Sequence, residues 1–233
     1  MQISFILVEP KVPENIGAAA RAIKTMGYKR LVLIKPCEYK TGPAQWLAHG
    51  SSDILGKAEV YGSLEEALTG TDITIGTTAR HRNIKGEYTS PEDLRSLLAR
   101  ESGNYKKVAL VFGREESGLS NEEISLCDIT STISLAAPYP SLNLSQAVML
   151  YAYVLGGIKP ADIDKNTVSA PGMHSLGLLK NKIESLLSGT PVSENRALKG
   201  RIMERLALAD GKDIKLFHSI ANALLNKYEK ARK

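Results

Sequence analysis

The stretch VALVFGREESGLSNEE, residues 108–123, decides how the chain is expected to fold. Its first five residues form an unbroken apolar run, which is typical of a β-strand covered on both faces. Gly113 and Gly118 then flank a short polar loop, and Ser120 is suited to cap a following helix. Loops at the carboxyl ends of strands are where α/β proteins bind ligands. Taken alone, this loop fits equally well a plain turn that carries a surface Arg–Glu ion pair.

Four more runs of the same kind predict further strands. They are short, nearly continuous and rich in β-branched residues, at Ile3–Val8, Leu31–Ile34, Ile73–Gly76 and Ile129–Ile133. Apolar runs without alternation, separated by helix-like segments, indicate a mainly parallel sheet and an α/β fold. The N-terminal run has no basic lead-in and no small-residue cleavage site, so it is expected to be a strand and not a signal peptide.

The helix-like segment Ile16–Met26 has the clearest amphipathic pattern. Asn15 is expected to cap its start and Gly27 to end it. A glycine near the start of this helix allows another backbone to approach closely. Arg21 and Lys24 fall largely off the apolar face. That face consists of Ile16, Ala19, Ala20 and Ile23.

A second helix, Leu144–Leu155, is expected to follow a Pro-rich loop in which Ser141 and Asn143 open the helix. Its sequence, LSQAVMLYAYVL, is apolar nearly all round. A helix of this kind is either fully buried or pressed against another subunit.

The composition limits the class of protein. The chain has 233 residues, of which 43% are apolar and 24% charged, and this suits one large globular domain or one domain with an appendage. No apolar run reaches the ~18 residues of a membrane-spanning helix. The two cysteines, Cys37 and Cys127, are too few for a disulfide scaffold or a Cys-rich zinc site, and they favour the reducing cytosol.

The net charge of +5 arises in the C-terminal third. Residues 157–233 contain 14 Lys and Arg against 8 Asp and Glu, whereas residues 1–156 contain 16 against 17. Helical patterns near 174–187, 194–209 and 213–230 predict a basic helical appendage, which suits a nucleic-acid partner. A solvated helical tail fits the charge alone equally well. The apolar stripe expected in the last helix comprises Ile214, Phe217, Ala221, Leu224, Leu225 and Tyr228.

Several common catalytic motifs are missing. The sequence contains no GxxxxGK[ST] loop, no GxGxxG turn after the first strand and no GxSxG motif. Its four histidines lack the spacing of metal ligands, so no metal site is predicted. The missing glycine turn also disfavours a nucleotide-dependent dehydrogenase. A ligand site must therefore be built from other segments.

Three segments occur in the order of a known set of motifs: NIGAAARAIKTMG (15–27), FGREESGL (112–119) and PSLNLSQAV (140–148). Together they resemble the motifs of the SPOUT class of RNA methyltransferases, in the SpoU branch that methylates ribose 2′-hydroxyl groups. The similarity is closer to the TrmJ family, which acts at position 32 of the tRNA anticodon loop. It covers about residues 2–156 and, more weakly, the helical tail.

The resemblance implies a more specific fold than composition does. SPOUT domains are α/β, with a mainly parallel sheet and a deep C-terminal trefoil knot, a rare exception to normal chain topology. Here the SPOUT methyltransferase domain would span residues 1–157. A linker, 158–173, would lead to a small all-α, basic extension at 174–233 that binds tRNA. The family's members are dimers, so a homodimer is expected here, which would account for a helix without a polar face. The expected location is the cytoplasm, as the cysteine content favours.

The resemblance also implies the cofactor, S-adenosyl-L-methionine, and the residues of the site. Backbone and small residues suit cofactor binding because main-chain N–H and C=O groups can read the edges of adenine. The residues expected around the cofactor are Thr77, Thr78, Ala79, Gly113, Ile133, Pro140, Ser141 and Leu142. The polar catalytic set consists of Arg21, Asn15, Glu115, Ser141 and Asn143.

Arg21 is often proposed as the base in this family, but a free guanidinium stays charged. We therefore expect Arg21 to bind the phosphate next to the target ribose and to stabilise the developing alkoxide. Glu115 would orient Arg21 or Arg114, or would form a purely structural ion pair within its own loop.

The implied partner is tRNA. The residues expected to contact RNA are Arg80, His81, Arg82, Arg114, Arg201 and Arg205. Two alternatives remain open: the same chemistry on ribosomal RNA, and a non-catalytic RNA-binding dimer of the same fold. The complete polar set argues against the second, because a degenerate copy would be expected to lose at least one member.

Overall fold

The computed structural model describes residues 1–40, 42–79, 88–101, 105–137, 141–156, 158 and 176–231. These residues form a six-stranded sheet in which every strand pairing is parallel. The mainly parallel α/β class predicted from the sequence is confirmed. The strands are β1 (Gln2–Val8), β2 (Arg30–Ile34), β3 (Glu59–Tyr61), β4 (Ile73–Thr77), β5 (Lys107–Phe112) and β6 (Ile129–Ser131).

Helices occupy most of the connections between strands and the C-terminal part of the described chain. Six of them lie before β6 and five after it. They are α1 (Pro13–Thr25), α2 (Pro43–Leu47), α3 (Ser52–Gly56), α4 (Leu64–Leu68), α5 (Pro91–Arg100), α6 (Asn121–Leu126), α7 (Leu144–Leu155), α8 (Leu176–Leu187), α9 (Pro191–Glu194), α10 (Arg196–Leu208) and α11 (Gly211–Ala231).

The strand order is β3-β2-β1-β5-β4-β6, which places the carboxyl ends of β5, β4 and β6 side by side. Five of the strands were predicted from their apolar runs, and these are confirmed. The run Ile129–Ile133 was predicted too long, because the strand ends at Ser131. The edge strand β3 was not predicted, since three half-exposed residues leave no apolar run to detect.

Helix α1 begins earlier than expected. Pro13 is its first residue and Val12 its N-cap, without a side-chain hydrogen bond. The prediction that Asn15 caps this helix is therefore wrong; Asn15 lies within its first turn. Gly27, at φ +84°, follows the helix as predicted. Gly17 permits the expected close approach, because a Cβ there would lie 2.1 Å from the carbonyl oxygen of Ala44 in α2.

Helix α7 packs against α1 and α5. Asn143 caps it as predicted, in a reciprocal arrangement with the side chain of Gln146. The expectation of complete burial does not hold within one chain: Leu150 is 39% exposed and Tyr153 is 69% exposed.

The C-terminal helices are part of the body of the protein. Leu176, Leu179 and Ile214 belong to the same buried hydrophobic cluster as the sheet residues. The buried hydroxyl of Tyr105, just before β5, donates a hydrogen bond of 3.0 Å to the backbone carbonyl of Ala207 in α10. These helices therefore extend the core of the α/β body.

The buried face of α11 is narrower than the predicted stripe. Ile214 and Ala221 are buried, and so is His218, which the stripe did not include. Phe217 and Tyr228, by contrast, are 37% and 61% exposed. The helix contacts chiefly α8, and one neighbouring helix covers only a narrow seam of its surface.

A largely buried ion pair joins α8 to the sheet. The Nζ atom of Lys180 lies 2.5 Å from Oδ2 of Asp128. The same oxygen accepts hydrogen bonds from the backbone N–H and the hydroxyl of Thr74, at 2.7 and 2.8 Å. Asp128 is 8% exposed, so its charge depends on these three partners.

Lys180→Met should lower the free energy of unfolding by about 3 kcal/mol, because it leaves Asp128 buried without its counter-ion. Urea denaturation at neutral pH measures this change. Lys199→Met is the matched control: Lys199 pairs with Glu184 in solvent, so a change below about 0.5 kcal/mol is expected. Equal effects of the two substitutions would contradict the structural role given to Lys180.

Candidate active site

A cavity of about 340 Å³ opens at the carboxyl ends of β4, β5 and β6. Its size falls within the ~300–1,000 Å³ usual for small-molecule sites. Three separate stretches line it: the end of β4, the loop after β5, and the segment from β6 to α7. The cavity therefore lies where the sequence pattern predicted a ligand site.

Most of the residues expected around a cofactor line this cavity. They are Thr77, Thr78, Ala79, Gly113, Ile133, Ser141 and Leu142. Pro140, the eighth expected residue, lies outside the described part of the chain.

The wall that α7 contributes was not predicted from the sequence. Leu144, Ala147 and Tyr151 line the cavity at helical spacing. That spacing is a signal in the sequence, but it is hidden in a helix that is apolar on almost every face. The Tyr151 hydroxyl donates a 2.9 Å hydrogen bond to the hydroxyl of Ser131, and burial raises the pKa of Tyr151, which keeps the phenol protonated.

The loop after β5 closes tightly on itself. A Cβ on Gly113 would lie 2.0 Å from the carbonyl carbon of Gly118, so only glycine fits. The backbone N–H of Arg114 donates to the carbonyl of Gly118 at 3.2 Å, and the N–H of Gly118 donates to the carbonyl of Arg114 at 2.9 Å. Gly118 has a φ of +69°, which favours glycine there as well.

The Arg114 guanidinium binds two carboxylates. Its Nε donates to Glu9 at 3.0 Å, and Nη1 and Nη2 donate to the two oxygens of Glu123 at 2.9 Å each. Hydrogen bonding to Glu123 and Glu9 raises the pKa of Arg114, and hydrogen bonding to Arg114 lowers the pKa of Glu9. Arg114 therefore pairs with Glu9 and Glu123, and not with Glu115 as the sequence alone allowed.

Glu115 holds the start of α1. Its Oε1 accepts hydrogen bonds from the backbone N–H of Val12 at 3.2 Å and from the Asn15 amide at 3.0 Å, and its Oε2 accepts from the N–H of Lys11 at 3.2 Å. Burial works against the charged form, but the hydrogen bonds prevail and lower the pKa of Glu115. The expectation that Glu115 orients Arg21 or Arg114 is therefore wrong for the contacts described.

Asn15 connects this carboxylate to the third motif. It is 5% exposed, and its side-chain oxygen accepts a 2.8 Å hydrogen bond from the Asn143 amide. Asn143 in turn uses its own side-chain oxygen to accept from the backbone N–H of Ser145. The chain Glu115–Asn15–Asn143 thus joins residues from all three sequence motifs.

Arg21 lies apart from this chain. Its exposed side chain lines a groove between α1 and α7, together with Ser145 and Gln146. Leu142 lines both this groove and the cavity, so the two spaces are neighbours. Ser141 is exposed at the cavity.

Comparison with protein families fits this arrangement. A model described as the SpoU rRNA Methylase family matches residues 2–153, and one described as the C-terminal domain of the tRNA/rRNA methyltransferase LasT matches residues 173–229. The chain belongs to the SpoU rRNA Methylase family. The family predicted from the sequence is confirmed, and with it the class of enzyme, a methyltransferase.

Individual relatives of this SpoU family member support the assignment. An uncharacterized tRNA/rRNA methyltransferase, LasT, from Escherichia coli K12 is 40% identical over 94% of this chain and 96% of its own length. The tRNA (cytidine/uridine-2′-O-)-methyltransferase TrmJ of Yersinia pestis (strain Pestoides F) is 38% identical over 72% of this chain and 64% of its own. The crystal structure of TrmJ from Z. mobilis ZM4 shares the fold, with a TM-score of 0.67 at 24% identity over 96% of this chain and 99% of that one.

The residues expected to contact RNA in this SpoU protein are only partly described. Arg80, His81 and Arg82 lie outside the described residues. Arg201 and Arg205 are exposed on α10. Among the residues that the structure describes, no cluster of three His, Cys, Asp or Glu side chains could hold a metal ion. None of the described helices has an apolar stretch of the length that a membrane span requires.

Glu115→Gln should destabilise the protein by about 1–3 kcal/mol, because an amide group would face N–H donors that now have an acceptor. Since the folded-state pKa of Glu115 is lowered, its contribution is full above the unfolded pKa of ~4.3 and is lost as the pH falls through the folded value. Urea denaturation between pH 3 and 7 should therefore show the wild-type advantage shrinking at acid pH.

Glu116→Gln is the control for this prediction. Glu116 is the neighbouring residue in the same loop and is exposed. The same substitution there should change the stability by less than about 0.5 kcal/mol. A difference between wild type and Glu115→Gln that does not depend on pH would contradict the role of the carboxylate.

Proposed function

We propose that this SpoU protein is an S-adenosylmethionine-dependent methyltransferase of tRNA. It methylates the ribose 2′-hydroxyl of a nucleotide in the anticodon loop, at position 32, where the base is cytidine or uridine. The observation that carries the proposal is the joining of the three motifs beside one cavity through Glu115, Asn15 and Asn143. The identity to TrmJ across the same part of the chain supports tRNA as the substrate.

The residues of the cavity fit the proposed cofactor. A narrow site formed by loop backbone and small side chains, such as Thr78, Ala79 and Gly113, suits adenosine, whose edges are read by main-chain groups. Phe112 and Leu142 add apolar surface. When bound, S-adenosylmethionine supplies a methyl group on a positively charged sulfur. Thr77, Thr78, Ala79, Gly113, Ile133, Pro140, Ser141 and Leu142 would hold it.

The chain's own residues position the ribose and balance charge. Holding the 2′-hydroxyl in line for transfer accounts for up to ~7–11 kcal/mol in ideal cases. Arg21 binds the neighbouring phosphate and stabilises negative charge on the 2′-oxygen while this oxygen bonds the methyl carbon and its proton passes to solvent water. The groove that contains Arg21 shares Leu142 with the cavity, which supports this role. Asn15, Asn143 and Glu115 fix the loops around the site, and Ser141 contacts the ribose.

The proposed fold includes the deep trefoil knot of SPOUT proteins, and the proposed assembly is a homodimer. The convergence of the loops after Thr77 and Gly113 with the segment before α7 supports the knot. Two helices carry exposed apolar side chains: Leu150 and Tyr153 on α7, and Trp46 and Leu47 on α2. These side chains support an apolar contact between subunits.

The proposed domain boundaries are a methyltransferase domain at 1–157, a linker at 158–173 and a tRNA-binding extension at 174–233. The concentration of basic residues beyond residue 157 supports the last assignment. Ribosomal RNA remains the alternative substrate, since one relative is named for both kinds of RNA. Incubation with labelled S-adenosylmethionine and unmodified tRNA or rRNA transcripts, followed by mapping of the methylated nucleotide, decides between them.

Arg21→Ala should abolish methyl transfer to tRNA and leave the Kd for S-adenosylhomocysteine within about twofold, because Arg21 faces the groove and not the cavity. Calorimetry and a methyl-transfer assay measure the two quantities. Lys24→Ala, one turn later on α1, removes an exposed cation that pairs with Asp53 and should retain activity. Equal loss of cofactor binding and activity in Arg21→Ala would mean that Arg21 is structural.

Reversing the charge of α10 should weaken tRNA binding without affecting the cofactor. The double variant Arg201→Glu/Arg205→Glu is expected to raise the Kd for tRNA at least tenfold and to reduce its salt dependence. Filter binding at several salt concentrations measures both. This test is cleaner than removing the tail, because truncation would take Leu176 and Leu179 out of the buried core and expose the residues that pack against them.

The control for α10 is Lys57→Glu. Lys57 is exposed and precedes β3, at the sheet edge opposite β6. Lys57→Glu should leave the Kd for tRNA within about twofold of the wild-type value. If the α10 variant binds tRNA as tightly as the wild type, α10 is not an RNA-binding surface.

A further inference from the structure

Most of the N–H groups of Arg114 are already hydrogen-bonded within the protein, which leaves few donors for a ligand. A guanidinium has five N–H donors. Glu9 takes one of them, Glu123 takes two, and the carbonyl of Gly118 accepts a longer bond of 3.4 Å from Nη1. The side chain of Arg114 is 21% exposed. Four of the five N–H groups are thus used, so a phosphate could form two parallel hydrogen bonds with Arg114 only by displacing a carboxylate. The RNA contact predicted for Arg114 is therefore disfavoured.

The partner residue Glu9 is held at a conformational cost. It follows β1 directly and has a φ of +45°, a left-handed conformation that is unusual for a residue other than glycine. Strain of this kind persists only where surrounding interactions over-determine it, and it is commonly found at functional sites. The interactions here are the Arg114 side chain and the hydrogen bond from the Glu9 N–H to the carbonyl of Ile34.

The other partner, Glu123, is fixed independently of Arg114. It belongs to the capping box of α6, in which its Oε2 accepts a 2.7 Å hydrogen bond from the Ser120 N–H. The guanidinium therefore bridges two anchored carboxylates, one at the end of β1 and one in the first turn of α6. Between these anchors lies the loop 113–118, and all six of its residues line the cavity.

We propose that Arg114 is a positioning residue for the cofactor. The cluster Glu9–Arg114–Glu123 holds the loop 113–118 in the shape that forms one wall of the cavity, and Arg114 does not bind RNA phosphate. This inference rests on the proposed function, since it assigns a role in binding S-adenosylmethionine. It predicts that the cluster controls affinity for the cofactor and leaves affinity for RNA unchanged.

The test measures two Kd values for each variant at a temperature well below its melting transition. Calorimetry gives the Kd for S-adenosylhomocysteine, and filter binding gives the Kd for an unmodified tRNA transcript. Arg114→Met keeps an apolar stem similar to that of arginine and removes the charged guanidinium. It should raise the Kd for S-adenosylhomocysteine at least tenfold and leave the Kd for tRNA within twofold. Lys57→Met removes an exposed cation just before β3, at the far edge of the sheet, and should change neither cofactor affinity nor melting temperature.

A double-mutant cycle separates the cluster from general support of the fold. Glu9→Gln, and also Glu123→Gln, which keeps an acceptor for the α6 cap, should each raise the Kd for S-adenosylhomocysteine about threefold or more. Neither should raise it further when combined with Arg114→Met, because the interaction is then already lost. Arg114→Lys should recover only part of the affinity, since an ammonium cannot bind Glu123 through two parallel hydrogen bonds.

Three outcomes would overturn the inference. In the first, Arg114→Met weakens tRNA binding and leaves the Kd for S-adenosylhomocysteine unchanged, which makes Arg114 an RNA contact. In the second, the melting temperature falls while both Kd values hold, which makes the cluster structural only. In the third, the effects of Glu9→Gln and Arg114→Met simply add. Failure of the wild-type protein to bind S-adenosylhomocysteine would instead overturn the proposed function, and this inference with it.

Discussion

The contact between Gly113 and the backbone of Gly118 and Leu119 is the constraint on which the site depends. With a Cβ at Gly113 the two backbone segments would overlap, and the reciprocal hydrogen bonds between Arg114 and Gly118 could not form. A loop closed this tightly has little freedom left. Two of its side chains can therefore be fixed by distant parts of the chain: Arg114 by Glu9 and Glu123, and Glu115 by the start of α1.

The second feature that shapes the site is a run of polar side chains in a mostly apolar body. A buried amide is tolerated only when its hydrogen bonds are satisfied. Asn15 meets this condition because it donates to Glu115 and accepts from Asn143. Removing any member leaves a polar group without its partner, which costs more than the hydrogen bond itself contributes. The three motifs are therefore mutually dependent, although about 130 residues separate the first from the third.

Features that depend on local sequence could be predicted, and features that depend on distant contacts could not. The apolar runs, the Ser120 and Asn143 caps and the turn at Gly27 follow from neighbouring residues, and the structure has them. Asn15 is a residue type that often caps helices, but its side chain instead donates a hydrogen bond to Glu115, 100 residues away. Arg114 and Glu115 are adjacent and oppositely charged, yet each pairs elsewhere. No spacing rule identifies such partners, because they are set by which strand ends lie side by side.

The sequence predicted that the C-terminal helices form an extension joined by a linker. The packing shows that these helices are fixed to the sheet that carries the cavity. Lys180 of α8 binds the Asp128 oxygen that also accepts from the N–H and hydroxyl of Thr74. Thr74 lies in β4, and the same strand ends at Thr77 in the cavity wall. A strand is stiff along its length, and the ion pair is largely buried. The C-terminal helices are therefore held at a fixed distance from the cavity. An RNA contact on α10 would consequently select substrates by the distance between the contacted phosphate and the target ribose, in addition to contributing affinity.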